Sequence, residues 1–314
     1  MVVSLPAEDT TLTYQQPTHS KHHALIVLVI LTFVWGLNWP GMKLAVMGFP
    51  PWHFRAACAA FGIVALFSMA RLQGHRLMPP PGLWWSLALA GILNVTGWQV
   101  FSASALQYMP SGRGAIVAYT MPLMTAVLSV PLLGDRLTVR VIVALALGMG
   151  GMAFLLPPDI LTAHDEQIHG ILLMLGAALS WGLGTIYLKY LKLPMPTTVI
   201  TAWLFVFAFP PMFIGAMFEP WPPDPALLTW PVMLGALYAA TIPVAYGYWA
   251  WFRLVEVLPV TVASIANLAT PVVGVLAGAA ILGESIGWRE GAALGLVLSA
   301  LVLVLYRKPE PKPS

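Results

Sequence analysis

The sequence predicts an all-α integral membrane protein with ten transmembrane helices, arranged as two inverted five-helix halves. Three observations support this fold class: the composition, the lengths of the apolar segments and an internal repeat. Of the 314 residues, 59% are hydrophobic and only 9% are charged, against about 25% charged residues in soluble domains. A soluble globule of this composition would lack polar side chains to cover its surface, so the chain is predicted to lie in a membrane.

Ten mostly apolar segments lie between charged or proline-rich breaks. A helix that crosses about 30 Å of hydrocarbon, at about 1.5 Å per residue, needs about 20 such residues. Continuous runs of this length argue against the alternating ten-residue strands of a membrane β-barrel. The predicted spans are residues 24–46, 51–70, 83–106, 112–133, 138–156, 169–191, 198–218, 230–254, 260–282 and 286–305.

The first span follows a polar stretch at residues 1–23. That stretch contains Glu8 and Asp9, and the apolar run carries Trp35, Asn38 and Pro40, so we expect a tail and a retained span rather than a cleaved signal peptide. The other nine spans follow with mostly short connections.

The distribution of Lys and Arg predicts the orientation. An even number of spans places both termini on one side, and the side richer in Lys and Arg is cytoplasmic. Only Lys43, Arg55, Arg113 and Arg289, of the fifteen Lys and Arg, fall on the side opposite the termini. We therefore expect both termini in the cytoplasm.

An internal repeat divides the spans into two halves. Residues 110–145 and 259–294 align at a constant offset, which pairs Pro122 with Pro271. Because five is odd, the second half enters the membrane from the opposite side. Inverted repeats are typical of secondary transporters, in which two opposed copies provide one conformation open to each side. The predicted parts are a tail at 1–23, repeats at 24–156 and 169–306, and a tail at 307–314.

The two halves resemble a known domain. In the second half the resemblance is carried by Tyr248-Trp249, Leu258-Pro259, Asn267, Pro271 and Leu282-Gly283-Glu284. The first half repeats it through Tyr108, Pro110, Pro122 and Leu133-Gly134-Asp135. These residues are similar to the EamA domain of the drug/metabolite transporter superfamily, and within it the chain resembles YddG-type exporters of aromatic and other amino acids. The resemblance implies a ten-helix inner-membrane exporter of amino acids built from two EamA repeats.

Polar and aromatic side chains inside the spans mark a candidate substrate path. Trp and Tyr usually anchor helices at membrane interfaces, but several of these rings lie deeper than an interface requires. Rings stack on the apolar parts of a solute and attract an ammonium group, and amides add hydrogen bonds. The candidate substrate-binding residues are Trp35, Asn38, Asn94, Trp98, Gln99, Trp181, Thr185, Tyr246, Trp249, Ser264 and Asn267.

Two prolines lie near the middle of spans four and nine. Pro122 and Pro271 each remove a backbone N–H and release the carbonyl four residues earlier, and such kinks often border a cavity. We predict two symmetry-related hinges, with irregular packing as the alternative. Small residues predict close helix packing within a monomer, with a dimer as the alternative. They include Gly274, Gly278, Gly291 and Gly295.

None of the twelve Asp and Glu residues lies in the middle of a predicted span. Proton-driven transporters usually carry protons on intramembrane Asp, Glu or His. We therefore expect a facilitator, or coupling through loop groups such as Asp135 and Glu284. For Lys43, Arg55 and Arg113, at the ends of spans, we expect snorkelling to lipid head groups, with a vestibule that attracts carboxylates as the alternative.

Other classes of protein are disfavoured. The sequence lacks the phosphate-binding Gly-x-x-x-x-Gly-Lys-Ser/Thr loop and the His-Glu-x-x-His motif, so neither ATP-driven transport nor a membrane-embedded enzyme is expected. Scattered Lys and Arg argue against nucleic acid as a partner. Cys58 alone, and the group of His19, His22 and His23 in the tail, predict neither a metal site nor a cofactor. The expected partners are membrane lipid and a small molecule. Amino acids come first, cationic aromatic drugs second, and a nucleotide sugar would need more cations facing the cavity.

Overall fold

The computed structural model describes residues 21–121, 124, 127, 128, 131, 132, 139–155, 165–257 and 269–305. In this part of the chain the regular structure is helical, and no strand occurs in these ranges. The α-helices are α1 (Lys21–Gly48), α2 (Pro51–Leu72), α3 (Trp84–Gly91), α4 (Trp98–Tyr108), α5 (Ser111–Ala118), α6 (Val139–Leu155), α7 (Asp165–Leu191), α8 (Thr197–Ala216), α9 (Trp230–Ile242), α10 (Tyr248–Val257), α11 (Ala269–Leu282) and α12 (Trp288–Leu305). Two π-helical turns, π1 (Ile92–Gly97) and π2 (Pro243–Gly247), connect α3 to α4 and α9 to α10.

Among the described residues, five helices are long and apolar enough to cross a membrane. They are Ile26–Gly48, Pro51–Leu72, Glu166–Leu188, Thr197–Ala216 and Trp230–Trp251. The apolar helices Ile142–Gly151 and Thr270–Leu282 are shorter. Each of the ten predicted spans contains a described helix, but much of span four and the first part of span nine lie outside the described residues. The number of ten spans therefore stays a prediction.

Prolines and glycines set several helix ends. Pro51 occupies the first turn of α2, where its missing N–H has no partner to lose. At the end of α11, Gly283 adopts a φ of 67°, a left-handed conformation that a residue without Cβ adopts at little cost. This turn directs the following residue, Glu284, back toward the first half of the chain.

The helix packing is reciprocal between the two halves. In the order of the chain, α2 corresponds to α8 and α6 to α12, and each pair packs side by side. The helices α4 and α7 pack together, and correspondingly α1 packs along α9 and α10. The pattern of helix contacts is therefore the same when the two halves are exchanged, as the predicted internal repeat requires.

Several glycines lie where two helices pack closely together. A Cβ atom at Gly91, at the end of α3, would lie 2.6 Å from the carbonyl oxygen of Leu204 on α8. A Cβ atom at Gly274 on α11 would lie 2.9 Å from the ring of Trp39. The first of these contacts is between backbones, so a side chain at Gly91 would force α3 and α8 apart.

The glycines of α12 behave differently from those of α11. A Cβ atom at Gly291 or Gly295 would meet no described residue within 4 Å, and both residues are exposed. We expected Gly291 and Gly295 to pack against another helix of the same monomer, but they contact no such helix in the described part of the chain. Gly274 and Gly278 do make close contacts with other helices there.

Candidate functional site

The predicted substrate-binding residues separate into two aromatic clusters. Ser264, Asn267 and Pro122 lie outside the described residues. Thr185 is exposed on α7, and Pro271 is buried on α11.

The first group, which we call the central aromatic cluster, lies where α1, α4, α7, α8 and α10 meet. Trp98 contacts Trp39 and Trp181, with ring centroids 6.5 Å and 5.3 Å apart. Trp181 also lies 6.1 Å from Tyr248, and the Tyr248 ring packs edge-on against Phe205 at 5.2 Å. The two halves of the chain therefore both contribute rings to one cluster.

A second aromatic cluster packs against the first part of α1. Trp35 lies 5.6 Å from Trp251, and Tyr246 lies 5.7 Å from Trp249, between ring centroids. These rings cover a small apolar core formed by residues of α1 and α10. Trp35 and Trp39 are four residues apart and share a face of α1, so this helix connects the two clusters.

The two π-helical turns stand next to the central aromatic cluster. The first residue after π1 is Trp98, and the first residue after π2 is Tyr248. A π turn breaks the regular α-helical hydrogen-bond pattern, and such turns are frequent at functional sites. Within π1, Ser180 on α7 donates a hydrogen bond of 2.7 Å to the Leu93 carbonyl. The irregular backbone is therefore satisfied by a side chain from the other half.

Two predicted amide residues differ in how well their polar atoms are satisfied. Asn94 is 5% exposed, and its amide nitrogen donates to the Ala90 carbonyl at 3.3 Å. Asn38 on α1 has a buried amide oxygen that accepts no hydrogen bond from any described residue. Burying an acceptor without a donor costs free energy, and a donor on a bound solute can form the missing hydrogen bond.

Arg55 was missed as a site residue, and its expected snorkelling to head groups is wrong. Its side chain is only 3% exposed and turns into the bundle. It donates to the Gln99 side-chain oxygen at 3.5 Å and to the Met42 sulfur. The Cys58 thiol lies beside it. Gln99 is in turn hydrogen-bonded with Tyr248, so Arg55 adjoins the central aromatic cluster.

The sequence contained signals for the residues that we missed. Charged side chains inside a membrane span are rare and usually functional, and Arg55 lies five residues into a predicted span. Trp39 follows Trp35 by one helical turn, and Tyr248 belongs to the motif that carries the family resemblance. Phe205 had no signal, because an apolar ring in an apolar span is not distinctive.

Carboxylates join the two halves at the end of the bundle where α2 and α5 begin. Glu284 accepts hydrogen bonds from the Ser111 backbone N–H at 2.6 Å, the Ser111 hydroxyl at 2.9 Å and the Gly112 N–H at 3.0 Å. Glu219 accepts from the N–H groups of Trp52 and His53 at 2.9 and 3.2 Å. Each carboxylate therefore caps the N-terminus of a first-half helix.

An ion pair and a groove lie at the same end. Arg113 pairs with Glu290 at 2.9 Å. A groove of about 580 Å³ is lined by residues that include Lys43, Tyr108 and Glu284. The Lys43 ammonium donates to the Leu106 carbonyl at 2.5 Å. Neither Lys43 nor Arg113 is therefore free to snorkel, and Lys43 faces the groove as the vestibule alternative requires.

Residues 283–287 match the Gly-x-Ser-x-Gly pattern of hydrolases. In those enzymes the serine lies on a sharp turn between a strand and a helix. Here the segment connects α11 to α12, and its Glu284 caps α5. The pattern has a structural use and does not indicate a nucleophile.

Comparison with known proteins agrees with the repeat. The sequence profile described as the EamA-like transporter family matches residues 22–156 and again residues 168–306. The chain belongs to the EamA-like transporter family. This membership indicates a membrane transporter that acts on a small molecule, and not an enzyme.

Relatives carry names of the same kind. The chain is 24% identical over 280 residues to an uncharacterized transporter, YoaV, of Bacillus subtilis, covering 89% of this chain and 93% of the relative. It is 26% identical over 285 residues to an uncharacterized inner membrane transporter, YedA, of Escherichia coli, covering 90% of each. One solved crystal structure matches with a TM-score of 0.64 at 20% identity, covering 91% of this chain and 97% of that one, which supports the fold.

Proposed function

We propose that this EamA-family protein is a secondary transporter that exports amino acids, aromatic and other neutral ones, or similar small amphipathic metabolites, across the inner membrane. The observation that carries the proposal is the central aromatic cluster, to which both halves contribute rings beside their π-helical turns. A site shared between two repeats is exposed to either side as the repeats rock against each other. Such a site serves alternating access.

The polar groups around the rings suit a zwitterionic solute. The unsatisfied Asn38 amide oxygen accepts hydrogen bonds from an ammonium group, and aromatic faces attract the same cation. The Gln99 amide lies next to Trp98 and is 3% exposed. Because these groups would bind the polar part of an amino acid, the proposal includes neutral amino acids with different side chains.

Purified protein in liposomes tests this proposal. Proteoliposomes loaded with a mixed panel of neutral amino acids should release the aromatic and large aliphatic members faster than protein-free liposomes loaded with the same panel. Release of cationic aromatic compounds in preference to amino acids would favour the drug exporter instead. An imposed pH gradient should not drive uphill movement if the protein is a facilitator. Uphill movement would indicate proton antiport.

The proposed topology has ten spans, two inverted repeats at 24–156 and 169–306, and cytoplasmic tails at 1–23 and 307–314. Support comes from the reciprocal helix packing and from the distribution of Lys and Arg. A cytoplasm-active reporter fused after Ser314 should be active, and a periplasm-active reporter at the same position should be inactive. The opposite pair of results would reverse the orientation. We propose a monomer, which the mass of the detergent-solubilised protein tests.

A further inference from the structure

We propose that Arg55 binds the carboxylate of the transported solute, so that the site accepts amphipathic molecules with one compact carboxylate and discriminates against the same molecules without it. This inference rests on the proposed function, because it concerns the same site. It assigns the charged group of the substrate to one side chain.

Arg55 is a buried cation without a carboxylate partner among the described residues. Its side chain is 3% exposed. A guanidinium that stays charged away from water requires compensation, because removing an ion from water costs several kcal/mol. An ionisable side chain inside a membrane span is by default a candidate functional site.

The hydrogen-bond acceptors around the Arg55 guanidinium are weak. A guanidinium has five N–H donors. Its hydrogen bonds go to the Gln99 oxygen at a long 3.5 Å and to the Met42 sulfur, the Phe54 ring lies 4.9 Å from its carbon Cζ, and the Cys58 thiol lies beside it. Sulfur is a weak acceptor, and the Arg55 Nε has no hydrogen-bond partner among the described residues. Two carboxylate oxygens would replace these weak contacts with the bidentate geometry that arginine prefers.

Arg55 also lies beside the central aromatic cluster. Gln99 lies next to Trp98 in the chain, and Tyr248, its hydrogen-bond partner, lies against Trp181. A solute whose carboxylate meets Arg55 therefore has its apolar or aromatic body at the central aromatic cluster. Met42 and Asn38 are four residues apart on α1 and share a face, which brings the free Asn38 oxygen to the same region.

The other charged groups of the described residues do not suit a cationic drug or a phosphorylated substrate. Glu219, Glu284 and Glu290 are engaged with helix N-termini or Arg113, so these three are not available to pair with a cationic drug. A doubly charged phosphate calls for several cations, and among the described residues no second Arg or Lys is buried like Arg55. A single carboxylate matches this one guanidinium.

The test compares four indole compounds on the same protein. L-Tryptophan has both charges, indole-3-propionate has only the carboxylate, and tryptamine and L-tryptophanamide lack the carboxylate. Binding is measured by the rise in melting temperature of the detergent-solubilised protein, and transport is measured by efflux from liposomes. We expect L-tryptophan and indole-3-propionate to raise the melting temperature of the wild-type protein. Tryptamine and L-tryptophanamide should bind about 10- to 100-fold more weakly.

The variants are Arg55→Gln, Arg55→Lys and the control Arg71→Gln, an exposed arginine on the same helix. Arg55→Gln should remove the preference for carboxylates, Arg55→Lys should keep part of it, and Arg71→Gln should behave like the wild type. If Arg55→Gln does not fold, the wild-type comparison of the four compounds still decides. Equal binding of all four compounds, or binding of none, overturns the role of Arg55. Carboxylate-selective binding without efflux supports Arg55 and contradicts the proposed transport.

Discussion

Replacing Trp181 by Ala is expected to slow amino-acid efflux by about tenfold to a hundredfold, with a smaller effect on folding. Trp181 is half-buried and contacts both Trp98 and Tyr248, so its loss opens the centre of the cluster. Each aromatic pair contributes about 0.5 to 1.5 kcal/mol beyond area burial, and 1.4 kcal/mol corresponds to a factor of ten. A bound aromatic solute would lose a comparable stacking contact.

The matched control is Trp85→Ala, because Trp85 is 87% exposed. Its efflux should equal that of the wild type, and Trp181→Phe should keep most of the rate because a ring is retained. Initial rates from liposomes with equal protein content measure the effect. Unchanged efflux in Trp181→Ala would remove the central aromatic cluster from the substrate path.

The second large effect is expected for Gly91→Val, which should lower the stability of the fold by about 1 to 3 kcal/mol or prevent folding. The added side chain meets the Leu204 carbonyl oxygen and the Phe207 Cβ. Neither belongs to the free end of a flexible side chain, so α3 and α8 must separate. The yield of monodisperse protein and its melting temperature measure the loss.

The same substitution at Gly295 serves as the control, because no described residue lies within 4 Å of its Cβ position. Gly295→Val should melt at or slightly above the wild-type temperature, since Val has the higher helix propensity. A large loss in Gly295→Val would instead show that this face of α12 packs against a partner, as the dimer alternative requires.

Helix positions follow from the sequence because the bilayer imposes a simple length requirement. The predicted span 51–70 coincides with α2 within two residues, and the first predicted span lies within α1. The π-helical turns were not predicted. A single widened turn leaves the apolar composition of the segment unchanged, and only the hydrogen bonds reveal it.

The candidate site was predicted in part. Trp98, Gln99 and Trp181 come together, whereas Trp35, Tyr246 and Trp249 form another cluster. The depth of a residue along its helix can be estimated from sequence, but its neighbours depend on which helices pack together. The direction of the long Arg55 side chain is likewise set by Met42 and Gln99, on two other helices. For Ser264, Asn267 and Pro122, outside the described residues, the predictions stand as made.

The carboxylates at one end of the bundle have a conformational consequence. Glu219, Glu284 and Glu290 all come from the second half, and each binds a helix of the first. Separating the halves at that end breaks these three contacts in the same movement. In the proposed transport cycle, opening that end therefore requires all three contacts to break. Weakening any one of them should shift the protein toward the state that is open there.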